Sequence, residues 1–252
     1  MSRDGGRGFR YRVAQLLGWV MVLGVFALLA ASFWSSDEDC TPDSINNMGQ
    51  KSFAAPPCVT IDQGPLYEAR LETSEGTILV LLEPRIAKAA VNNFRFLANN
   101  GVYDGTEFHR IVNAADHAYI QGGDPTGTGK GTAGYFYQGE LPSPLTRYSR
   151  GVIAMVDYRP EEELSDQGSP PLNGSQFFIV ADDWEAIGSP NEFPRFTIFG
   201  RVFEPESLDV LDRIVALGNA EGEAAEEVLL LRATVREIPR FEPEPSPIPS
   251  LT

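Results

Sequence analysis

The run Asn173-Gly174-Ser175-Gln176-Phe177-Phe178-Ile179-Val180 ends in four consecutive apolar residues. Phe177 to Val180 forms a short apolar strand, in which neighbouring side chains face opposite sides. Phe177 therefore reads as an interior residue. Phe178 is either a second barrel residue or one turned toward a ligand. Upstream, Gly151 to Asp157 and Phe108 to Asp124 are further short apolar strands separated by a Gly-rich span. Downstream, Phe196 to Phe203 alternates apolar and polar residues, and Val228 to Ile238 forms a last strand. Tyr67 to Thr73 also alternates, Ser74-Glu75-Gly76 turns the chain, and Thr77 to Leu82 returns as a hairpin partner. Ala87 to Asn100 places Ala90, Val91, Phe94 and Leu97 on one helical face, with Gly101 as its stop. Ser207 is expected to cap a second helix running through Ile214. Strands outnumber helices by about three to one, which favours a mainly-β, closed or nearly closed antiparallel barrel with helices over its openings.

The chain has 252 residues, 42% of them hydrophobic, enough to bury a core. Twenty Lys+Arg against 35 Asp+Glu leave a net charge of −15, which argues against nucleic acid as a partner. Cys40, Cys58, His109 and His117 do not have the ordinary spacing of a Cys/His zinc cluster. Charged residues at 22% are too few for disorder throughout. No metal or other cofactor is expected.

Residues 13–34 run without one charged side chain and would extend ~33 Å as a helix, the depth of a bilayer core. Arg3, Arg7, Arg10 and Arg12 precede this run, and Asp37, Glu38 and Asp39 follow it. That asymmetry predicts a basic cytoplasmic N-terminus at 1–12, a transmembrane signal anchor at 13–34 and an extracytoplasmic remainder. A cleaved signal peptide stays open, because Ala30-Ala31-Ser32 offers small residues at a suitable spacing. Residues 35–65, with Pro42, Pro56 and Pro57, read as a stalk without a core. Cys40 and Cys58 within it are candidates for a disulfide, with two free thiols as the alternative. The body spans 66–240, and 241–252 is a Pro-rich tail.

Four blocks occur in the order found in cyclophilins: Phe108-His109-Arg110-Ile111, Gln121-Gly122-Gly123-Asp124-Pro125-Thr126-Gly127-Thr128-Gly129, Asn173-Gly174-Ser175-Gln176-Phe177-Phe178-Ile179 and Phe199-Gly200-Arg201-Val202. From about Tyr67 to Ile238 the chain resembles that family of peptidyl-prolyl cis–trans isomerases. The resemblance implies an eight-stranded antiparallel barrel capped by two helices. It implies Arg110 and Gln121 as the catalytic pair. Phe178 would form the floor of a proline pocket, with Met155, Phe196, Tyr119 and Phe193 around it, and Gln176 would hold the substrate backbone.

The chemistry suits those residue types. An X–Pro bond turns over a barrier of ~18–20 kcal/mol because the nitrogen lone pair is conjugated with the carbonyl. Twisting breaks the conjugation and turns that nitrogen into a hydrogen-bond acceptor. A fixed guanidinium beside it stabilises the twisted state more than the planar one, so no nucleophile or metal is needed.

The chain departs from the family pattern at Ala118-Tyr119, where most active members have Phe-Met, and by about three extra residues between Asn113 and His117. Val156-Asp157 replaces Ala-Asn, and an acidic segment of about ten extra residues begins there. Other motifs fall short. Asp124 to Gly131 fails a phosphate-loop pattern at both of those positions. Asn173-Gly174-Ser175 is a glycosylation sequon inside a groove-lining block. His109 and His117 lack a third metal ligand, and Glu221, Glu223, Glu226 and Glu227 read as a solvated face. Together these features predict a membrane-anchored isomerase that acts on X–Pro bonds of extracytoplasmic or membrane chains. The alternative is a catalytically weak binding or assembly subunit of a membrane complex.

Overall fold

The computed structural model describes residues 44–47, 50–143, 146–163, 168–184 and 196–238, all in the compact unit Thr41–Thr252. The expected anchor at 13–34, the expected cytoplasmic N-terminus at 1–12, Cys40, Phe193 and the expected tail at 241–252 lie outside them. Among the described residues no helix is long and apolar enough to cross a membrane.

Among the described residues twelve strands and two α-helices follow one another. A first hairpin consists of β1 (Ser44–Asn47) and β2 (Gln50–Phe53). The main sheet contains β3 (Leu66–Thr73), β4 (Gly76–Leu82), β5 (Thr106–Glu107), β6 (Arg110–Asn113), β7 (Ala118–Gly122), β8 (Tyr137–Gln138), β9 (Val152–Asp157), β10 (Leu172–Val180), β11 (Ile198–Val202) and β12 (Leu229–Ile238). The helices are α1 (Lys88–Asn99) and α2 (Pro205–Val215). Strand order is β5-β12-β3-β4-β11-β9-β10-β7-β6, with β8 paired to β10, and every ladder is antiparallel.

The sheet is a curled half-barrel whose two edge strands, β5 and β6, are successive pieces of one segment. The expected eight strands become nine on this path because the ladder breaks at Phe108-His109. There the Phe108 ring turns into the core against Gly122, where a Cβ would stand 3.0 Å from it. The expected strand over Phe108 to Asp124 is likewise two strands, and the extra residues after Asn113 form the turn between β6 and β7.

Alternation decides which face each strand buries. Tyr67, Ala69 and Leu71 on β3 and Ile78, Val80 and Leu82 on β4 point into the core, where α1 adds Ala90, Val91, Phe94 and Leu97. Phe94 packs edge-on against Phe177 at 5.3 Å, and tilted against Tyr103 at 5.1 Å and Phe199 at 5.2 Å. Truncating one such buried ring costs about 3–5 kcal/mol.

Helix ends follow local chemistry. Gly101, at φ +67°, ends α1, and the Val102 N–H donates back to Leu97 O at 3.0 Å. Ala87 cannot cap the start of α1, so the Glu140 carboxylate accepts the Ala89 N–H from outside the helix. Burial pushes the Glu140 carboxyl above its usual range, opposed by those backbone donors. In α2 the expected cap is displaced. Pro205 begins the helix, where its missing N–H costs nothing, and the Ser207 hydroxyl inside it accepts the Leu79 N–H at 2.9 Å.

The segment expected to be a coreless stalk takes part in the core. Phe53 and Ile61 are only 5% and 4% exposed, and Phe53 stacks edge-on with Phe96 at 4.7 Å. Asn92 of α1 ties the same segment down by donating to Cys58 O at 2.9 Å and accepting the Thr60 N–H at 3.1 Å. The prolines of this segment masked the two apolar anchors that dock it. Cys58 is disulfide-bonded.

Candidate active site

The two-residue period of β10 separates two apolar clusters. Phe177 and Ile179 face the main core, whereas Phe178 and Val180 face outward. On that outer face Phe178 gathers Tyr148, Ala154, Val180 and Ile198, and Tyr119, Trp184 and Phe196 pack against them. Strand register then lines up one transverse row: Ile198 opposite Ala154, Ala154 opposite Phe178, Phe178 opposite Gln121, and Gln121 opposite Arg110. Arg110 and Phe178 are two strand spacings apart, about 9.6 Å.

Arg110 is exposed, and its guanidinium carbon sits 5.7 Å from the centre of the Tyr119 ring. It forms no ion pair among the described residues. Gly222, at φ +90°, lets the Arg110 stem lie close; a Cβ there would stand 2.8 Å from Arg110 Cγ and 2.9 Å from its Nε. The ring beneath the guanidinium steers it toward the aromatic cluster at a cost in freedom smaller than an unguided side chain would suffer.

Gln121 Nε2 donates to Gln176 Oε1 at 2.8 Å and lies 3.3 Å from His109 Nε2. Gln176 Nε2 donates in turn to Gly131 O at 2.9 Å. Gln176 is 1% exposed and engaged at both ends of its amide. It holds Gln121 rather than facing solvent. Burial lowers the His109 pKa despite the nearby Asp124 and Glu107 carboxylates, which favours the neutral ring beside the Gln121 amide. Asp124 organises the loop that supplies Gly131, accepting from Thr126 N at 2.7 Å and Gly131 N at 3.0 Å.

The remaining expected site residues divide. Phe196 meets Phe178 edge-on at 5.0 Å, and Tyr119 meets it at 5.9 Å. Met155 does not join them. It is fully buried in the main core as the cross-strand partner of Phe177, because register gives it the inward face that Ala154 lacks. Phe193 lies outside the described residues. Sequence reasoning passed over Trp184 and Tyr148. Trp184 stacks on Phe178 at 5.6 Å and 4°, and Tyr148 meets Trp184 at 5.5 Å. Each is a lone large aromatic in a polar stretch, which is the signal that could have found them.

The acidic segment after Asp157 is anchored from within. The Asp157 side chain is 0% exposed, accepts Arg159 Nη2 at 2.7 Å and Nε at 2.9 Å, and also takes the Leu172 N–H at 3.0 Å. Asn173 is fully buried, donates to Val156 O and accepts from Thr197 Oγ1, so its sequon is closed to a glycan.

A curled antiparallel sheet with helices over it, and a cation, an amide and an aromatic cluster in one row outside it, defines a proline-directed isomerase scaffold. Residues 69–235 match the family model described as cyclophilin type peptidyl-prolyl cis-trans isomerase/CLD. A mouse protein named peptidyl-prolyl cis-trans isomerase-like 1 is 34% identical over 167 residues, 65% of this chain and 89% of its own. A Mycobacterium tuberculosis protein named probable peptidyl-prolyl cis-trans isomerase B is 32% identical over 174 residues, 63% of this chain and 51% of its own. Among solved structures, a Cryptosporidium parvum cyclophilin type isomerase superposes with TM-score 0.53 at 27% identity, covering 69% of this chain and 99% of that one. The same protein in the presence of the dipeptide Ala-Pro gives TM-score 0.52 at 28% identity, covering 67% of this chain and 98% of that one. The chain belongs to the cyclophilin-type peptidyl-prolyl cis–trans isomerase family, and its enzyme class is that of its relatives.

Proposed function

We propose that this protein isomerises X–Pro bonds in chains outside the cytoplasm, with Arg110 as the electrostatic catalyst and Gln121 as its orienting partner. The observation that carries the catalytic part is the row Arg110–Gln121–Phe178 on three adjacent strands. A prolyl ring resting on the aromatic cluster presents its nitrogen on the side from which Arg110 extends. The guanidinium donates to that nitrogen once conjugation is lost, and Gln121 holds a neighbouring peptide group. Uncatalysed, the step takes tens of seconds or longer.

Placement outside the cytoplasm rests on the uncharged run 13–34 between basic and acidic flanks. The disulfide at Cys58 supports it, since such bonds persist in oxidising compartments. Substrates would be newly translocated or membrane-bound chains containing proline. Two measurements on the full chain test the reading. Magnetisation-exchange NMR on a short Ala-Pro peptide is expected to show accelerated exchange. Protease added outside intact cells expressing the chain is expected to degrade the body, and protection of the body would refute the topology.

A second reading, a catalytically weak binding or assembly subunit of a membrane complex, draws on Phe178 being only 4% exposed. Such a subunit keeps its partner when Arg110 is replaced, whereas an isomerase loses turnover.

A further inference from the structure

The family match begins at Ala69, yet the segment 50–61 ahead of it is packed against the barrel through Phe53 and Ile61. We propose that this added segment is a working part of the active site. Docked through Phe53, it fixes the loop 131–135, and through that loop the Gln176–Gln121 pair that holds the substrate backbone. Phe53 is thus a positioning residue, and the proposal rests on the isomerase reading above. Segment and loop are shaped for each other. The Phe53 N–H donates to Ala133 O at 2.8 Å. At Gly134, φ +100°, a Cβ would stand 2.6 Å from Phe53 O and 3.2 Å from Phe53 N, so the two backbones meet only because residue 134 has no side chain. The Phe53 ring closes edge-on over Phe96 of α1, Lys51 Nζ donates to Asn100 O at 2.7 Å, and Asn92 holds the chain at Cys58 and Thr60.

The loop in turn reaches the site from both sides of Ala133. Two residues earlier, Gly131 O accepts Gln176 Nε2 at 2.9 Å and the Tyr158 hydroxyl at 2.9 Å. Two residues later, the Tyr135 hydroxyl donates to Asn93 Oδ1 at 2.5 Å, and Asn93 Nδ2 donates to Gly174 O at 3.1 Å, in the strand that carries Gln176. The loop lies between β7 and β8, outside both ladders, so Gly131 is held by the Asp124 carboxylate on one side and by the Phe53 clamp on the other. A displacement of about 1 Å takes the Gly131 carbonyl out of hydrogen-bond range of Gln176. The Gln176 amide is then free to turn, and Gln121, which donates to it at 2.8 Å, loses the acceptor that orients it. Gln121 grips a peptide group in the planar and twisted states alike, so the loss falls on affinity more than on turnover.

The test uses the full chain and a short Ala-Pro peptide. Phe53→Ala is expected to raise KM about three- to tenfold, with kcat changed less than about twofold. Phe53→Leu keeps the backbone donor and an apolar anchor, and is expected to stay within about twofold of wild type in both constants. The Gln176 side-chain amide resonances, assigned by their loss in Gln176→Met, are expected to move in Phe53→Ala and to stay in place in Phe53→Leu. Reciprocity supplies a readout without a variant: saturating the wild type with peptide is expected to slow hydrogen exchange of the Phe53 amide about threefold or more. That measurement decides if Phe53→Ala does not fold, and exchange indifferent to peptide then overturns the proposal. A folded Phe53→Ala protein with KM unchanged, or with the Gln176 amides unmoved, overturns the positioning role and leaves the isomerase reading standing. A wild type that does not isomerise the peptide overturns the isomerase reading, and the Gln176 amides in Phe53→Ala still test the link from Phe53 to the pair.

Discussion

Replacing Arg110 with alanine removes the only cation in the transverse row and leaves every hydrogen bond of Gln121 and Gln176 in place. Two magnitudes separate the folding effect from the catalytic one. For folding, the loss is one exposed cation over a ring at 5.7 Å, worth about 0.5–1 kcal/mol, with no ion pair among the described residues. A domain with about 5–15 kcal/mol of stability tolerates that. For catalysis, a preorganised donor aimed at developing electron density contributes about 2.7–4 kcal/mol, or 10²–10³ in kcat. Arg110 stands at an exposed rim, where water screens it, so the lower end applies: a loss of about 100-fold with the fold intact. Arg110→Lys keeps the charge but loses the planar fork, and an intermediate loss of about tenfold follows. Magnetisation-exchange NMR reads the cis–trans rate without a coupling protease, and circular dichroism checks the fold. A folded Arg110→Ala protein that retains a third or more of wild-type turnover would refute electrostatic catalysis by this residue.

Other perturbations probe the supports of the site. Gly222→Ala places a Cβ 2.8 Å from Arg110 Cγ at φ +90°, so activity should fall several-fold with Arg110 itself unchanged; wild-type kinetics would show that the stem yields freely. Asp157→Ala deprives the buried Arg159 guanidinium of this carboxylate and should cost about 3–5 kcal/mol in urea unfolding. A cost under 1 kcal/mol would mean that the guanidinium reaches water. Burial alone would raise the Asp124 pKa, but donors from Thr126 and Gly131 outweigh it and hold the carboxyl below its usual value. Its stabilisation is therefore complete above the unfolded pKa of about 3.9 and is lost as pH falls through the lower folded value. Asp124→Asn should flatten the acid limb of a stability–pH curve below about pH 4, and an unchanged limb would assign acid unfolding to other carboxylates.

Where sequence periodicity reports burial, the elements could be read directly. The β3–β4 hairpin and α1 stand where the alternation over Tyr67–Leu82 and the face of Ala90, Val91, Phe94 and Leu97 put them. Features fixed by a single residue or a distant contact were not legible. Phe108 breaks one apolar run into two strands by turning inward against a glycine 14 positions later, which no local pattern signals. Phe53 and Ile61 are isolated apolar residues among prolines, and only the docked body shows that they are anchors. Ser207 satisfies a cap rule locally, but its hydroxyl accepts a donor 128 residues away. Within the site, the family motifs identified Arg110, Gln121, Gln176 and Phe178, while their division into exposed and supporting groups needed the packing. Met155 shows the limit most plainly, since adjacency to Ala154 in sequence puts it on the opposite face of β9.

That division bears on how the barrel tolerates its own departures. A β-sheet fixes where Cα atoms lie in the transverse row, but not which ring fills the space above it. The row from Ile198 to Arg110 is therefore preserved by register, with each partner set by the hydrogen-bonded ladder. The wall above the row is set only by volume. The Ala118 side chain faces the main core, and only its carbonyl approaches the Trp184 indole, at 3.5 Å, so the two side chains lie on opposite sides of β7. Their substitution effects on stability should therefore nearly add. A phenyl ring at 118 overfills the main core and should cost about 1–3 kcal/mol in urea unfolding whether position 184 holds tryptophan or alanine. A double variant, Ala118→Phe with Trp184→Ala, that recovers most of the stability lost by Ala118→Phe alone would show that the two side chains share one space after all.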